Sequence, residues 1–388
     1  MTQRGTAFPT RPVAQLLGSN GPIHAVAYSA SPGTYILTGS DDRSIRLYNP
    51  SPASTSSISI SNSITSKPAS SSSSSPGATP PPPPAGRLIQ TYAGHAYAVL
   101  SVSVSSSNAH FASAGGDRAV LLWDVSTAQT IRRFGSASTA ASHTGRVNCV
   151  AFAGADDALV VSGGLDCTVR IWDARSGSNR AVQVLADARD AVTCLGVTAG
   201  AAAAEVLAGS VDGRVRAYDV RMGRCVTDVF PASVTSLCLA RDGRTALVGT
   251  LDSKLRLMDR ANGSCLRTYE DAGWRNEELR VQSVLGGRER WVVVGDEMTG
   301  AGAGTGGGGG NVGRVWAWDL LTGKLVATVS VPWGGNGGDD VRKKVVDRDG
   351  KEKERKNVVS CIAWKDGGFG DQFCVGGTSG VVTVFGQG

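Results

Sequence analysis

The feature that most constrains this chain is an aspartate that recurs seven residues before another acid, with apolar residues alternating between them. DRAVLLWD spans Asp117–Asp124, DCTVRIWD spans Asp166–Asp173, DGRVRAYD spans Asp212–Asp219 and DSKLRLMD spans Asp252–Asp259. DRSIRLYN, from Asp42 to Asn49, is a weaker copy. GRVWAWD ends at Asp319 with Val312 where the first acid belongs, and SGVVTVFG, from Ser379 to Gly386, has lost both acids. Strict alternation over such a run is the pattern of a half-buried strand, and the Asp-Gly at Asp212-Gly213 is a tight-turn signal, because Gly accepts a positive φ at no steric cost. Seven such hairpins exclude a helical or α/β fold.

Repeat ends about 40 residues apart, closing in Trp-Asp and opening in Gly-His, are the signature of WD repeats, each a four-stranded blade. Blades set radially around a channel leave only short, protected sheet edges. The expected fold is therefore all-β, a seven-bladed propeller. The last copy stops after a third strand, so Val13–Leu17 is expected to supply the missing fourth and join the two ends.

The chain of 388 residues exceeds what seven repeats need, and three insertions account for the surplus. Residues 51–86 hold 14 Ser and 8 Pro, too little apolar surface to offset ordering entropy, and read as a disordered loop before the strand RLIQTY (87–92). Residues 300–311, GAGAGTGGGGGN, enter a hairpin of the sixth repeat; residues 334–357 separate the sixth repeat from the seventh. Neutral loop expansion explains all three, since closure entropy grows only logarithmically with length. Sharper readings are a phosphorylatable, proline-recognised tether for Ser51–Gly86 and a nuclear-import or acidic-partner patch for Arg342–Lys356.

The net charge of +6 is concentrated: Val341–Lys356 carries eight Lys or Arg against four Asp or Glu. The rest is close to neutral, which argues against direct nucleic-acid binding. No run of about 18 apolar residues and no apolar leader occurs, so neither membrane nor secretion is expected. The eight cysteines form no Cys-x-x-Cys pair and read as core residues of strands.

Two sets of residues look catalytic. His95, Ser113, Asp117 and Trp123 follow one another in the second repeat, and His143, Ser162, Asp166 and Trp172 in the third. Histidine, serine and aspartate are the types a hydrolytic triad needs. Their repeat context instead implies structural tetrads in which the turn Asp holds the His, and Ser bridges onward to the indole N–H. The other repeats lack the His and are expected to keep the Asp turn without that partner. His24 and His110 also read as structural. No phosphate loop and no metal-ligand spacing occurs, so neither enzymatic activity nor a cofactor is expected.

What remains for function is surface. Positions beside the turns on the Gly-His side, Asp41, Tyr97, Arg146, Leu165, Arg189, Val211, Leu251 and Trp274, are candidate partner contacts, and Leu165, Val211 and Leu251 could form one apolar arc. Trp172-Asp-Ala-Arg175 and Tyr218-Asp-Val-Arg221 resemble a motif by which some WD-repeat proteins dock on a cullin-RING ligase adaptor; alternatively each Arg pairs with its own Asp. Arg214, Arg216 and Arg221 read as surface or edge residues open to partners.

LAGSVDGRVRAYDVRMG (207–223), with GGDRAVLLWDVSTAQTIRRF (115–134) and TLDSKLRLMDRANGSCLRTY (250–269), resembles the mitogen-activated protein kinase organiser family of WD-repeat proteins. The likeness runs from about residue 10 to the end, outside the insertions. It implies a non-enzymatic scaffold, monomeric within larger complexes of cytoplasm and nucleus, whose partners are kinase-cascade components and splicing factors. A ubiquitin-ligase substrate receptor is the alternative. Val312 and Trp274 depart from the pattern and put contacts through the last two repeats in doubt.

Overall fold

In the computed structural model the described residues are 7–51, 83–135, 142–198, 205–297, 312–334, 344–346, 352–354, 356–365 and 370–387. The Ser/Pro-rich and Gly-rich insertions therefore lie almost wholly outside them. The alternating segments form seven four-stranded antiparallel sheets. Blade 1 runs through Ile23–Tyr28, Ile36–Ser40, Ser44–Asn49 and Arg87–Ala93, and blades 2 to 6 repeat the same order along the chain. Innermost strands of successive blades are neighbours all the way round, and that of blade 7, Val359–Trp364, meets Ile23–Tyr28 of blade 1. The ring is closed.

Both ends of the chain build blade 7. Arg11–Leu16 pairs antiparallel with Val382–Gly386, in the register Arg11 to Gly386 and Leu16 to Val382. The strand starts two residues before the expected Val13. Ahead of it, buried Phe8 packs edge-on to Trp291 of blade 6 at 5.4 Å and against Phe373 of blade 7 at 5.5 Å. Between blades 6 and 7 the charged insertion contains a short hairpin, Lys344–Val346 with Glu352–Glu354, where a plain loop was expected.

The core is a set of apolar seams between neighbouring sheets rather than one central mass. One seam joins Leu37 and Ile45 of blade 1 to Phe111 and Trp123 of blade 2; others repeat this around the ring. Alternation of apolar residues on two-sided strands produces this, since each sheet packs on both faces. The innermost strands carry a register shift after their first residue in six blades. At three of these bulges the extra residue turns its side chain to the next blade. Asn148 Nδ2 donates to Val192 O at 2.8 Å, Thr193 Oγ1 to Val234 O at 2.7 Å and Ser360 Oγ to Ile23 O at 3.4 Å. These latches satisfy carbonyls at the blade seams that ladder pairing leaves over.

The cysteines divide by strand. Cys149, Cys194, Cys361 and Cys374 are buried, and burial pushes the Cys149 and Cys361 thiols up to about 12. Cys225 and Cys265, in the outermost strands of blades 4 and 5, are exposed, so the reading of all eight as core does not hold.

Candidate functional site

One face of the ring carries the turns between the second and third strand of each blade together with the loops that enter the first strands. What fixes those turns decides what the face can present.

In blade 2, His95 Nδ1 lies 3.0 Å from both carboxylate oxygens of Asp117, and Nε2 lies 2.7 Å from Ser113 Oγ. Trp123 Nε1 donates to the same hydroxyl at 2.8 Å. An indole N–H can only donate, so Ser113 accepts from it and gives its own proton to Nε2; Nδ1–H then donates to Asp117. Blade 3 repeats the chain, with His143 Nδ1 at 2.9 Å from Asp166 and Nε2 at 2.8 Å from Ser162, to which Trp172 donates at 2.8 Å. The His95 and His143 side chains are 0% and 1% exposed. Every ring nitrogen and hydroxyl is occupied and no nucleophile faces solvent, so the two sets stand as internal braces and not as triads.

Each turn Asp also grips the entering loop: Asp117 accepts from the Ala96 N–H and Asp166 from the Thr144 N–H, both at 3.1 Å. Burial raises the Asp166 carboxyl, but His143, Thr168 and the Thr144 amide outweigh it and hold the group at about 2.

The turns of blades 1, 4 and 5 have no His partner, yet they are not partnerless. An arginine four residues after the Asp takes the place of histidine. Arg46 reaches Asp42 at 2.8 Å, Arg216 reaches Asp212 at 2.7 Å, and Arg256 pairs with Asp252. A hydroxyl two residues before the Asp completes each set: Ser40, Ser210 and Thr250 donate to the carboxylate, and Arg216 Nη1 donates back to Ser210 Oγ at 2.9 Å. Arg216 is thus buried inside a network and is not available to partners. Arg214 lies partly exposed, 3.8 Å from Asp212. In blades 2 and 3 the residue two before the Asp is Gly. A Cβ at Gly164 would stand 2.8 Å from both His143 Nδ1 and Asp166 Oδ1, so Gly makes room for the imidazole. The sequence signal of this brace is Ser or Thr, one residue, Asp, three residues, Arg.

Blade 6 solves the same problem differently. Trp274, expected on the surface, is 0% exposed; its Nε1 donates to Gly295 O at 2.9 Å and its ring meets Trp318 edge-on at 5.7 Å. With Val312 in the usual Asp position, Glu297, two residues past the second strand Trp291–Gly295, accepts the N–H groups of Glu277, Glu278 and Leu279 at 2.7, 3.1 and 2.9 Å. Trp316 Nε1 donates to Asp296 at 3.0 Å.

The remaining candidate positions do come to this face. Tyr97 is 65% exposed, Leu165 48% and Val211 37%; Arg146 and Arg189 are exposed and Leu251 is half-buried. Asp41 is exposed, with His24 Nε2 at 3.6 Å. Burial pulls the His24 ring below its ordinary value, Asp41 works against that and Arg280 with it. Leu165 and Val211 are held by their backbones, Leu165 N–H donating to Arg146 O at 2.8 Å and Val211 N–H to Ala191 O at 2.9 Å. These side chains stand partly exposed on turns whose backbones are hydrogen-bonded in place.

Both arginines of the suspected adaptor motif meet their own Asp through the backbone. The backbone N–H of Arg175 donates to Asp173 at 2.8 Å and that of Arg221 to Asp219 at 3.0 Å, capping the turns on the opposite face. The Arg175 guanidinium meets Asp156 at 3.4 Å in an exposed pair. His110 is half-buried, its Nδ1 without a protein partner. Among the described residues no group of three metal-ligating side chains comes together, and no helix is long and apolar enough to cross a membrane.

Comparison with known proteins agrees with this geometry. The WD domain, G-beta repeat model matches residues 10–49, 86–124 and 136–173. WD repeat domain-containing protein 83 of Mus musculus is 34% identical over 333 residues, covering 86% of either chain. The chain belongs to the WD repeat domain-containing protein 83 family. The Dictyostelium discoideum homologue in this family is 25% identical over 339 residues, 81% of this chain and 87% of its own. A guanine nucleotide-binding protein subunit beta of Arabidopsis thaliana shares 36% identity over only 80 residues, 21% of each. Family membership thus extends over the whole propeller, whereas the G-protein likeness is that of two repeats.

Proposed function

We propose that this family member is a non-enzymatic scaffold that holds several proteins on the face bearing the His and Arg braces. In this reading the proteins are kinase-cascade components, splicing factors, or both, met in cytoplasm and nucleus. The observation that carries the reading is the exposed set Tyr97, Leu165 and Val211 with Arg146 and Arg189, spread over three adjacent blades and seated on turns locked by buried ion pairs and tetrads. Aromatic, apolar and Arg side chains on a rigid base lose little entropy on binding, which is what an interface anchor requires. The kinase and splicing assignments rest on the resemblance of 115–134, 207–223 and 250–269 to kinase organisers.

The test is affinity purification of the tagged protein from nuclear and cytoplasmic fractions separately, with mass spectrometry, beside a Leu165→Glu, Val211→Glu variant. Splicing proteins from the nucleus, or kinases from the cytoplasm, should be recovered with the native ring and lost with the variant. Equal recovery by both would sink the assignment of this face.

A further inference from the structure

The axis of the ring holds a cavity of about 210 Å³ whose lining comes from the innermost strands of all seven blades. Among the described residues that line it, Arg280 is the one charged side chain. It precedes the first strand of blade 6, yet Nη1 donates to Asn148 O of blade 3 at 2.8 Å. Its charge also acts on His24, Cys149, Cys194 and Cys361, in blades 1, 3, 4 and 7. A side chain that starts in blade 6, bonds to blade 3 and lines the axial cavity reaches across the mouth of the channel.

The Arg46, Arg216 and Arg256 guanidinia of the turns each have a carboxylate; no ion pair of Arg280 is seen among the described residues. Its Nε is buried and finds no protein acceptor. Thr235 lines the same cavity, is 4% exposed, and its Oγ1 also lacks a protein partner. Thr235 is the bulge residue of blade 5, the position from which Thr193 and Asn148 latch the next blade. At the seam between blades 5 and 6 that latch is not made. Two buried donors and one unneutralised charge therefore share one cavity, and partial burial of an unpaired cation is costly.

We propose that the mouth of the central channel is a carboxylate site, with Arg280 as the cationic anchor and Thr235 as a second donor. A single guanidinium matches one carboxylate in charge and in its forked geometry. Cys149 and Cys361, with thiols at about 12, stay neutral and do not repel the anion. The carboxylate can come from a free small acid or from an acidic side chain of a bound protein; the chemistry at Arg280 is the same.

The full-length protein, labelled with ¹⁵N-arginine, tests this without any partner. The Arg280 Nε–H resonance is assigned by its loss in Arg280→Lys, then followed while sodium acetate, or a short Glu-containing peptide, is added against sodium chloride at equal ionic strength. A saturable downfield shift of that resonance alone is expected, with several-fold weaker binding in Thr235→Val. Saturation by acetate assigns a small acid; saturation by the peptide at far lower concentration assigns an acidic side chain. No saturation by either, a shift no larger than chloride gives, or a response to inorganic phosphate alone would overturn the proposal. Should Arg280→Lys fail to fold, the saturable resonance in the native protein and its weakening in Thr235→Val decide the matter.

Discussion

Arg216 Nη2 donates to Asp212 Oδ2 at 2.7 Å, from a side chain that is 5% exposed to one that is 9% exposed. This pair does in blade 4 what His143 and Asp166 do in blade 3. The choice between them follows from one residue, two before the Asp: Gly admits the imidazole, whereas Ser210 fills that space and gives the arginine a hydroxyl to hold.

Arg216→Met should therefore destabilise the ring more than loss of a surface ion pair would. It strands a buried carboxylate, for which a cost of about 3–5 kcal/mol is typical. Urea unfolding measures it, and Arg175→Met, at an exposed pair, should cost less than about 1 kcal/mol.

Gly164→Ser, which brings the blade 4 residue into blade 3, should be destabilising, because its Cβ would stand 2.8 Å from His143 Nδ1 and from Asp166. The double change Gly164→Ser, His143→Ala should recover part of the loss, since Arg170 already lies 3.8 Å from Asp166. Thermal midpoints of the two variants give the answer; a double variant no better than the single one would refute the exchange rule.

Acid should loosen the turns. Asp42, Asp166 and Asp212 are held at about 2 in the fold against an ordinary 3.8. Their folded values are depressed, so their contribution is complete above the ordinary value and disappears as pH falls towards about 2. Unfolding midpoints measured down that window should drop steeply, and less steeply in Asp212→Asn. A flat profile would mean that these carboxylates titrate alike in both states.

Trp274→Ala should cost about 3–5 kcal/mol, as truncation of a fully buried aromatic does. Tyr97→Ala should be close to neutral for stability and should weaken partner capture. Calorimetry separates the two roles.

The ring, its seven hairpins and its closure by an amino-terminal strand could be read from the sequence because each depends on local alternation and on a count of repeats. The braces of blades 2 and 3 were legible for the same reason: His, Ser, Asp and Trp stand at fixed offsets. Arg216 reads as a surface residue because an Arg in an alternating strand looks solvent-facing; nothing but the hydroxyl at Ser210, two residues before its Asp, marks it as buried. Trp274 and Glu297 could not be read from spacing at all. Glu297 reaches its loop from two residues past the second strand, outside the usual turn position. Arg280 lay deeper still, since it bonds across the ring to Asn148 and lines a cavity to which every blade contributes.

Because Arg11–Leu16 waits for Val382–Gly386, the first strand made is among the last to find its place. At ordinary rates of synthesis that interval is on the order of tens of seconds, during which the backbone groups of Arg11–Leu16 have no ladder partner. Phe8, which ends buried among Trp291, Trp364 and Phe373, spends the same interval uncovered. A nascent ring of this kind needs protection from other chains until its own tail arrives, and a variant weakened at this seam would be lost to aggregation before it was lost to unfolding.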